Sequence, residues 1–76
     1  MNESRRRVLR GVITDLNRTI HTIEGIQDEE RISMENIPEN LQGSENYDMM
    51  EEAIDALDDA IGSIQSATES IDEACR

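Results

Sequence analysis

The sequence lacks most of the residues that stabilise small proteins. Its 76 residues include one cysteine, one histidine and one tyrosine, and no tryptophan or phenylalanine. A single cysteine, Cys75, excludes an internal disulfide, and a lone histidine without a cysteine cluster excludes the usual zinc sites. A domain of about 60 residues buries only about 60% of its unfolded surface, so a chain this short generally needs a disulfide, a metal or a partner chain. We therefore predict association with a partner chain, and no cofactor or metal.

Long apolar segments are also missing. No apolar run approaches the roughly 20 residues that a membrane-spanning helix requires, and no signal-peptide pattern is present. One unpaired cysteine is typical of a reducing compartment. We therefore predict a cytoplasmic protein that has no membrane partner.

Positive charge is scarce and uneven. The chain has no lysine, and its seven arginines are outnumbered by 18 acidic residues, which gives a net charge of −11. Residues 1–31 hold six arginines and six acidic residues, whereas residues 32–76 hold one arginine and twelve acidic residues. An acidic surface repels nucleic-acid backbones and attracts basic partners. Direct binding to double-stranded DNA is therefore not expected.

Residues 45–75 are predicted to form an amphipathic helix. Their apolar residues alternate in steps of four and three, which is the heptad pattern. The stripe consists of Met50, Ile54, Leu57, Ile61, Ile64, Ile71 and Cys75, with Thr68 in its one gap. Alanines recur every seven residues beside this stripe, from Ala53 to Ala74, and permit close approach of a second backbone. Gly62 costs up to about 1 kcal/mol relative to alanine.

Residues 4–35 are predicted to form a second helix with the same alternation. Its apolar stripe consists of Leu9, Ile13, Leu16, Ile20 and Ile23, widened by Val8, Val12 and Ile26. Gln27 and Glu30 then place polar groups on the stripe. We therefore expect this helix to fray or bend between Gly25 and Ile32.

Residues 36–44 are predicted to connect the two helices. Pro38 disfavours helix at the residue before it, and Ser44 or Asn46 is a suitable N-cap for the helix that follows. Residues 38–41 are expected to form one short helical turn, in which Ile37 and Leu41 cover the end of the core.

The predicted fold is an all-α antiparallel two-helix hairpin that forms one domain over residues 1–76. Each apolar stripe, with its flanking residues, is wider than one partner helix covers, so two hairpins are expected to form a four-helix bundle. A dimer is the simplest closed assembly, and a tetramer remains open. The predicted oligomer seam consists of Leu9, Ile13, Leu16, Ile20, Ile23, Ile54, Leu57, Ile61, Ile64 and Ile71.

Arginines are concentrated near the start of the chain. Arginine is favoured where phosphate or carboxylate is recognised by two parallel hydrogen bonds. The candidate phosphate-binding residues are Arg5, Arg6, Arg7, Arg10 and Arg18. In an antiparallel hairpin these side chains also lie near the end of the second helix, so pairing with Glu69, Asp72 and Glu73 is the alternative.

The second helix carries a dense acidic strip, which we call the acidic face: Glu51, Asp55, Asp58 and Asp59. It either binds a basic protein groove, as a mimic of a nucleic-acid backbone would, or forms a solvated bundle surface. No spacing matches a calcium loop or a di-metal bundle site. His21 has no nucleophile pattern near it, so we predict that the protein is not an enzyme.

Three segments together resemble a known group of proteins. They are Asp28-Glu29-Glu30, the turn Asn36-Ile37-Pro38-Glu39-Asn40-Leu41-Gln42-Gly43-Ser44, and the helix segment Ala-Ile-Asp-Ala-Leu-Asp-Asp-Ala that starts at Ala53. The chain resembles short uncharacterised helical-hairpin proteins of phages and prophages of low-GC Gram-positive bacteria. The resemblance spans nearly the whole chain, and its turn is the distinctive part. It implies a phage accessory protein in the host cytoplasm and transfers no site residue.

Three functions are consistent with these features. The first is inhibition of a host defence system by occupying a host protein through the acidic face. The second is sequestration of a phosphate-bearing nucleotide signal through the arginines. The third is a structural or assembly role as a bundle.

Overall fold

Two long helices pack side by side in the computed structural model, which describes residues 1–76. Helix α1 spans Glu3–Glu35 and helix α2 spans Glu45–Ala74, and a 3₁₀ turn, Glu39–Leu41, lies between them. No strand is present, and α1 and α2 pack against each other along their length. The predicted all-α hairpin is therefore confirmed, with helix ends within one residue of those expected from the sequence.

Each helix begins at a side-chain cap. The Arg5 backbone N–H donates to Asn2 Oδ1 at 2.8 Å, and the Tyr47 N–H donates to Ser44 Oγ at 3.3 Å. These bonds satisfy amide groups that a helix start otherwise leaves unpaired. Ser44, rather than Asn46, is thus the cap of α2.

The connection follows the predicted short turn. The Leu41 N–H donates to the Pro38 carbonyl at 2.8 Å, and Ile37 is half-buried. Leu41, however, is 51% exposed. The expectation that Leu41 covers the end of the core is therefore wrong, because the 3₁₀ turn leaves its side chain largely in solvent.

The hairpin is a rod with an open core. Its Cα radius of gyration is 17.5 Å and its Cα extents are 60 × 15 × 12 Å, whereas a compact domain of this length has a radius of gyration of about 11 Å. Only five residues are buried, namely Ile20, Gln27, Ile54, Ile61 and Cys75. Two helices in one layer cover each apolar stripe from one side only. Neither helix has the length and hydropathy that crossing a bilayer requires.

Gln27 is the most buried residue of the chain, at 3% exposure. Its Nε2 donates to the Ile54 carbonyl at 3.0 Å and to Asp58 Oδ1 at 2.6 Å. Helix α1 runs without interruption from Gly25 through Ile32. The expected fraying is therefore wrong, since the amide that was to break the seam forms two hydrogen bonds across it.

Candidate functional site

The arginines at the start of α1 are spread around the helix. Successive residues of an α-helix are about 100° apart, so Arg5 and Arg7 lie about 160° apart, on nearly opposite sides. Arg6 and Arg10, four residues apart, share one side. Arg18 is exposed two turns further along. The structure therefore brings Arg6 and Arg10 together, with Arg7 about 60° from Arg10, and separates Arg5 and Arg18 from them.

Glu3 is the acidic partner of this pair. Arg10 Nη1 lies 3.1 Å from Glu3 Oε1, and Arg6 Nη1 lies 3.7 Å from Glu3 Oε2. Arg18 pairs with Asp15 on the same helix at 3.4 Å. Arg5 and Arg7 form no ion pair within the chain.

The alternative pairing with the end of α2 does not form. Asp72 pairs with Arg76 at 3.6 Å, and Glu69 and Glu73 form no ion pair. All six ion pairs of the chain lie within one helix or its terminal residue and have exposed acidic members. Exposed pairs of this kind contribute about 0–1 kcal/mol each, so they do not determine how α1 meets α2.

Arg6 differs from the other arginines because its side chain is partly buried. Its side chain is 29% exposed, and its Nε is buried and has no hydrogen-bond partner. The guanidinium thus rests against the hairpin with one donor unsatisfied. Because the Nε is closed to solvent, a phosphate or carboxylate oxygen would reach that donor only after the side chain turned outward.

The acidic face is continuous along α2. Glu51, Asp55, Asp58 and Asp59 are all exposed and lie within an arc of about 100°. None of the four forms an ion pair with an arginine. Their negative charge is therefore uncompensated within the chain.

Asp58 differs from its three neighbours. It accepts the hydrogen bond from Gln27, so it has a role in the contact between the helices as well as a place on the acidic face. The sequence identified Asp58 as a surface acid and Gln27 as a disruption. Only their spatial contact, across 31 residues of chain, reveals the pair.

A groove of about 490 Å³ lies where the helices approach the turn, and no sequence pattern predicts it. It is lined by Arg31, Met34, Glu35, Gln42, Tyr47, Glu51 and Ile54. We call it the turn-end groove. It is open and mixed in polarity, and Arg31 in it pairs with Asp28 at 3.3 Å. The half-buried Tyr47 thus lies against the end of the hairpin.

No group of three or more histidine, cysteine or acidic residues is arranged to hold a metal ion. His21 is exposed, and its Nδ1 lies 3.3 Å from Glu24 Oε1. Cys75 is a free, buried cysteine at the end of the seam. Met50, on the apolar stripe of α2, is half-buried, whereas the neighbouring Met49 is 60% exposed.

The ten predicted seam residues are all buried or half-buried in the hairpin. Ile20, Ile54 and Ile61 are buried. The other seven are half-buried, namely Leu9, Ile13, Leu16, Ile23, Leu57, Ile64 and Ile71. Each of those seven therefore keeps part of its apolar surface in contact with solvent.

Comparison with known proteins found no matching family model, no matching curated protein and no matching solved structure.

Proposed function

We propose that the chain is a non-enzymatic phage accessory protein that inhibits a host defence system by occupying a host protein. The observation that carries this proposal is the uncompensated acidic face of α2. Glu51, Asp55 and Asp59 are exposed and form no ion pair within the chain. Such a strip attracts a basic groove, including one that ordinarily binds a nucleic-acid backbone.

A rigid helix supports this role. The acidic side chains project from the continuous helix α2, whose interior contacts with α1 include the Gln27–Asp58 hydrogen bond. Binding to a preformed surface avoids the entropic cost of ordering a flexible segment. A protein that inhibits by occupying its target needs no nucleophile or metal.

The test is a comparison of two charge-matched triple variants. In the first, Glu51→Gln, Asp55→Asn and Asp59→Asn neutralise the acidic face and leave Asp58 intact. In the second, Glu24→Gln, Asp28→Asn and Glu29→Gln remove the same charge from α1. Each protein is expressed in the host during phage infection, and plaque formation on a defended host is counted.

We expect the first variant to lose protection of the phage by at least 10-fold and the second to retain it. The first variant should also fail to retain the host protein that the unmodified chain captures from lysate at 150 mM salt. If both triple variants protect the phage as well as the parent does, the acidic face is not the contact surface.

The second candidate function is sequestration of a phosphate-bearing nucleotide. Arg5 and Arg7 have no acidic partner in the chain, and the Arg6 Nε lacks a hydrogen-bond acceptor. Free arginine donors near the end of a rod suit phosphate oxygens. These arginines are spread around α1, so they cannot all contact one phosphate group. Either another chain completes the phosphate site, or only some of the arginines bind phosphate.

Native mass spectrometry after incubation with a nucleotide extract of infected cells tests this candidate. A stoichiometric adduct of nucleotide mass that disappears in Arg6→Ala supports sequestration, and Asn17→Ala on the same helix is the control. Absence of any adduct on the parent protein contradicts it. If neither acidic nor arginine variants lose activity, a structural or assembly role is the remaining proposal.

Self-association is part of the proposal. Seven of the ten seam residues are only half-buried in the single hairpin. A second hairpin that covers them would complete a four-helix bundle. A homodimer is the smallest assembly that does this.

A further inference from the structure

A second stripe, only partly apolar, runs along α1 beside the seam. Val8 is 66% exposed, Val12 37% and Ile26 52%. Each directly precedes a position of the first stripe of α1, so the three lie about 100° to one side of the seam. Asp15 and two threonines lie between Val12 and Ile26 on the same flank. Large apolar side chains on one flank of an otherwise charged helix indicate a surface that contacts protein.

Helix α2 has a matching stripe, also one residue before its seam. Its members recur in strict steps of four and three: Met49, Ala53, Ala56, Ala60, Ser63, Ala67, Ser70 and Ala74. None of these eight residues is charged, although α2 is the most acidic part of the chain. All except the half-buried Ala60 are exposed in the hairpin.

The two stripes lie on the same face of the hairpin. The turn-end groove places Arg31 and Glu35 of α1 beside Tyr47 and Glu51 of α2 on one face. On each helix the second stripe is on the other side of the seam from those residues. The stripes must therefore share the opposite face, which we call the apolar face.

We propose that the apolar face binds the same face of a second copy of this chain, and that the two hairpins lie antiparallel, with their turns at opposite ends. This inference rests on the self-association proposed above and specifies its surface and direction. The rod measures 60 Å by 15 Å in Cα extent, so one face offers roughly 900 Å². A stable interface buries about 800 Å² of each partner, so this face has the area that a dimer needs.

Charge determines the direction of pairing. Residues 35–52, around the turn, carry six acidic residues and no arginine. Residues 1–10 carry four arginines and one acidic residue. An antiparallel arrangement places the arginine end of each hairpin beside the acidic turn of the other, whereas a parallel arrangement places the two acidic turns together.

Antiparallel pairing also determines which helices meet. A two-fold axis perpendicular to the rods places α1 on α1 of the second copy, and α2 on α2. Small alanine and serine side chains then face each other along α2, which lets the two backbones approach closely. Val8, Val12 and Ile26 lose their exposure to water against α1 of the second copy.

A distance between turns tests the direction. In a Cys75→Ser background, Asn40→Cys places a spin label at an exposed residue of the 3₁₀ turn. Antiparallel pairing predicts a label-to-label distance of roughly 50–60 Å by double electron–electron resonance, because the rod is 60 Å long. Parallel pairing predicts less than about 30 Å, since neighbouring helix axes are about 8–10 Å apart.

A matched pair of variants tests the face. Ile26→Glu adds a charge on the apolar face, and Asn17→Glu adds the same charge to an exposed position of α1 on the other side of the seam. We expect Ile26→Glu to raise the dimer dissociation constant at least 10-fold, by sedimentation equilibrium. Asn17→Glu should change it by less than about twofold.

The outcomes separate this inference from the proposals above. A short label distance, or a dimer that tolerates Ile26→Glu as well as Asn17→Glu, overturns the inference and leaves self-association standing. A helical protein that stays monomeric at 100 μM overturns both. Failure of the acidic-face variants to affect phage protection bears on the function alone.

Discussion

Gln27 shows how one polar side chain connects the two helices. Its amide donates to a backbone carbonyl and to a carboxylate of α2, at 3.0 and 2.6 Å. Buried polar groups are tolerated where hydrogen bonds replace lost water, and such bonds have specific geometry. The apolar seam allows the helices to slide by a heptad, whereas the Gln27 contacts exist in one register only.

We predict that Gln27→Glu lowers the free energy of unfolding by about 2–4 kcal/mol, because a buried carboxylate cannot donate to Ile54 and faces Asp58. Urea denaturation at pH 7 followed by circular dichroism measures the change. Gln27→Leu is the control. It should stay within about 1 kcal/mol of the parent, since the Ile54 carbonyl keeps its α-helical partner and Asp58 returns to water. Equal losses in both variants would show that shape, not hydrogen bonding, is what Gln27 contributes.

The arginine pairs show the limit of sequence reasoning at single residues. The order of the helices correctly placed the start of α1 near the end of α2, and pairing with Glu69, Asp72 and Glu73 followed from that. Glu3 instead pairs with Arg6 and Arg10 within α1. Partners on the same helix are already at the right spacing, so they need no particular contact between helices.

At the scale of the helix, local chemistry determines where each element begins and ends. Asn2 and Ser44 cap α1 and α2, and Pro38 precedes the 3₁₀ turn. These features depend on neighbours within four residues, so the sequence predicts them well. The continuity of α1 past Gly25 depends on a contact with α2 and could not be predicted from local propensity.

We predict that Gly62→Ala stabilises the protein by about 0.5–1 kcal/mol, because alanine loses less backbone entropy in a helix than glycine does. A Cβ at this exposed position would meet no atom within 4 Å. Thermal unfolding by circular dichroism should show a higher midpoint. Gly25→Ala in α1, where a Cβ also has open space, should give a similar gain. A lower midpoint in Gly62→Ala would mean that this side of α2 contacts another chain.

At the scale of the molecule, the hairpin has a long surface and little interior. Its central seam contains Ile20, Ile54 and Ile61, each less than 10% exposed. A chain of this length typically has a free energy of unfolding of about 4–11 kcal/mol. Loss of one central contact is therefore a large fraction of the total.

We predict that Ile61→Asp abolishes cooperative unfolding, since it places an unpaired charge at a position that is 9% exposed. Circular dichroism at 25 °C should show loss of most of the helical signal at 222 nm. Ser66→Asp adds the same charge to an exposed position of α2 and should keep the fold. A helical Ile61→Asp variant with a sharp transition would contradict the assignment of the seam.

The fold was more predictable from sequence than the candidate sites. Heptad spacing identified both helices and their pairing, because periodicity is a property of the chain itself. The turn-end groove and the Gln27 contact join residues far apart in sequence, and no pattern within either helix predicts them. The shared apolar face could be identified only from the handedness of the helices together with the turn-end groove on the opposite face.

The mass of the folded protein in solution tests whether a second hairpin completes the core. Sedimentation equilibrium from 1 to 100 μM, with circular dichroism on the same samples, reports association and helicity together. A bundle of two hairpins predicts a helical species of about twice the 8.6 kDa chain mass, in rapid or slow exchange with monomer at the lowest concentrations. A fully helical species of 8.6 kDa at 100 μM would show that the open hairpin is stable alone. That result would contradict the claim that a second copy completes the core.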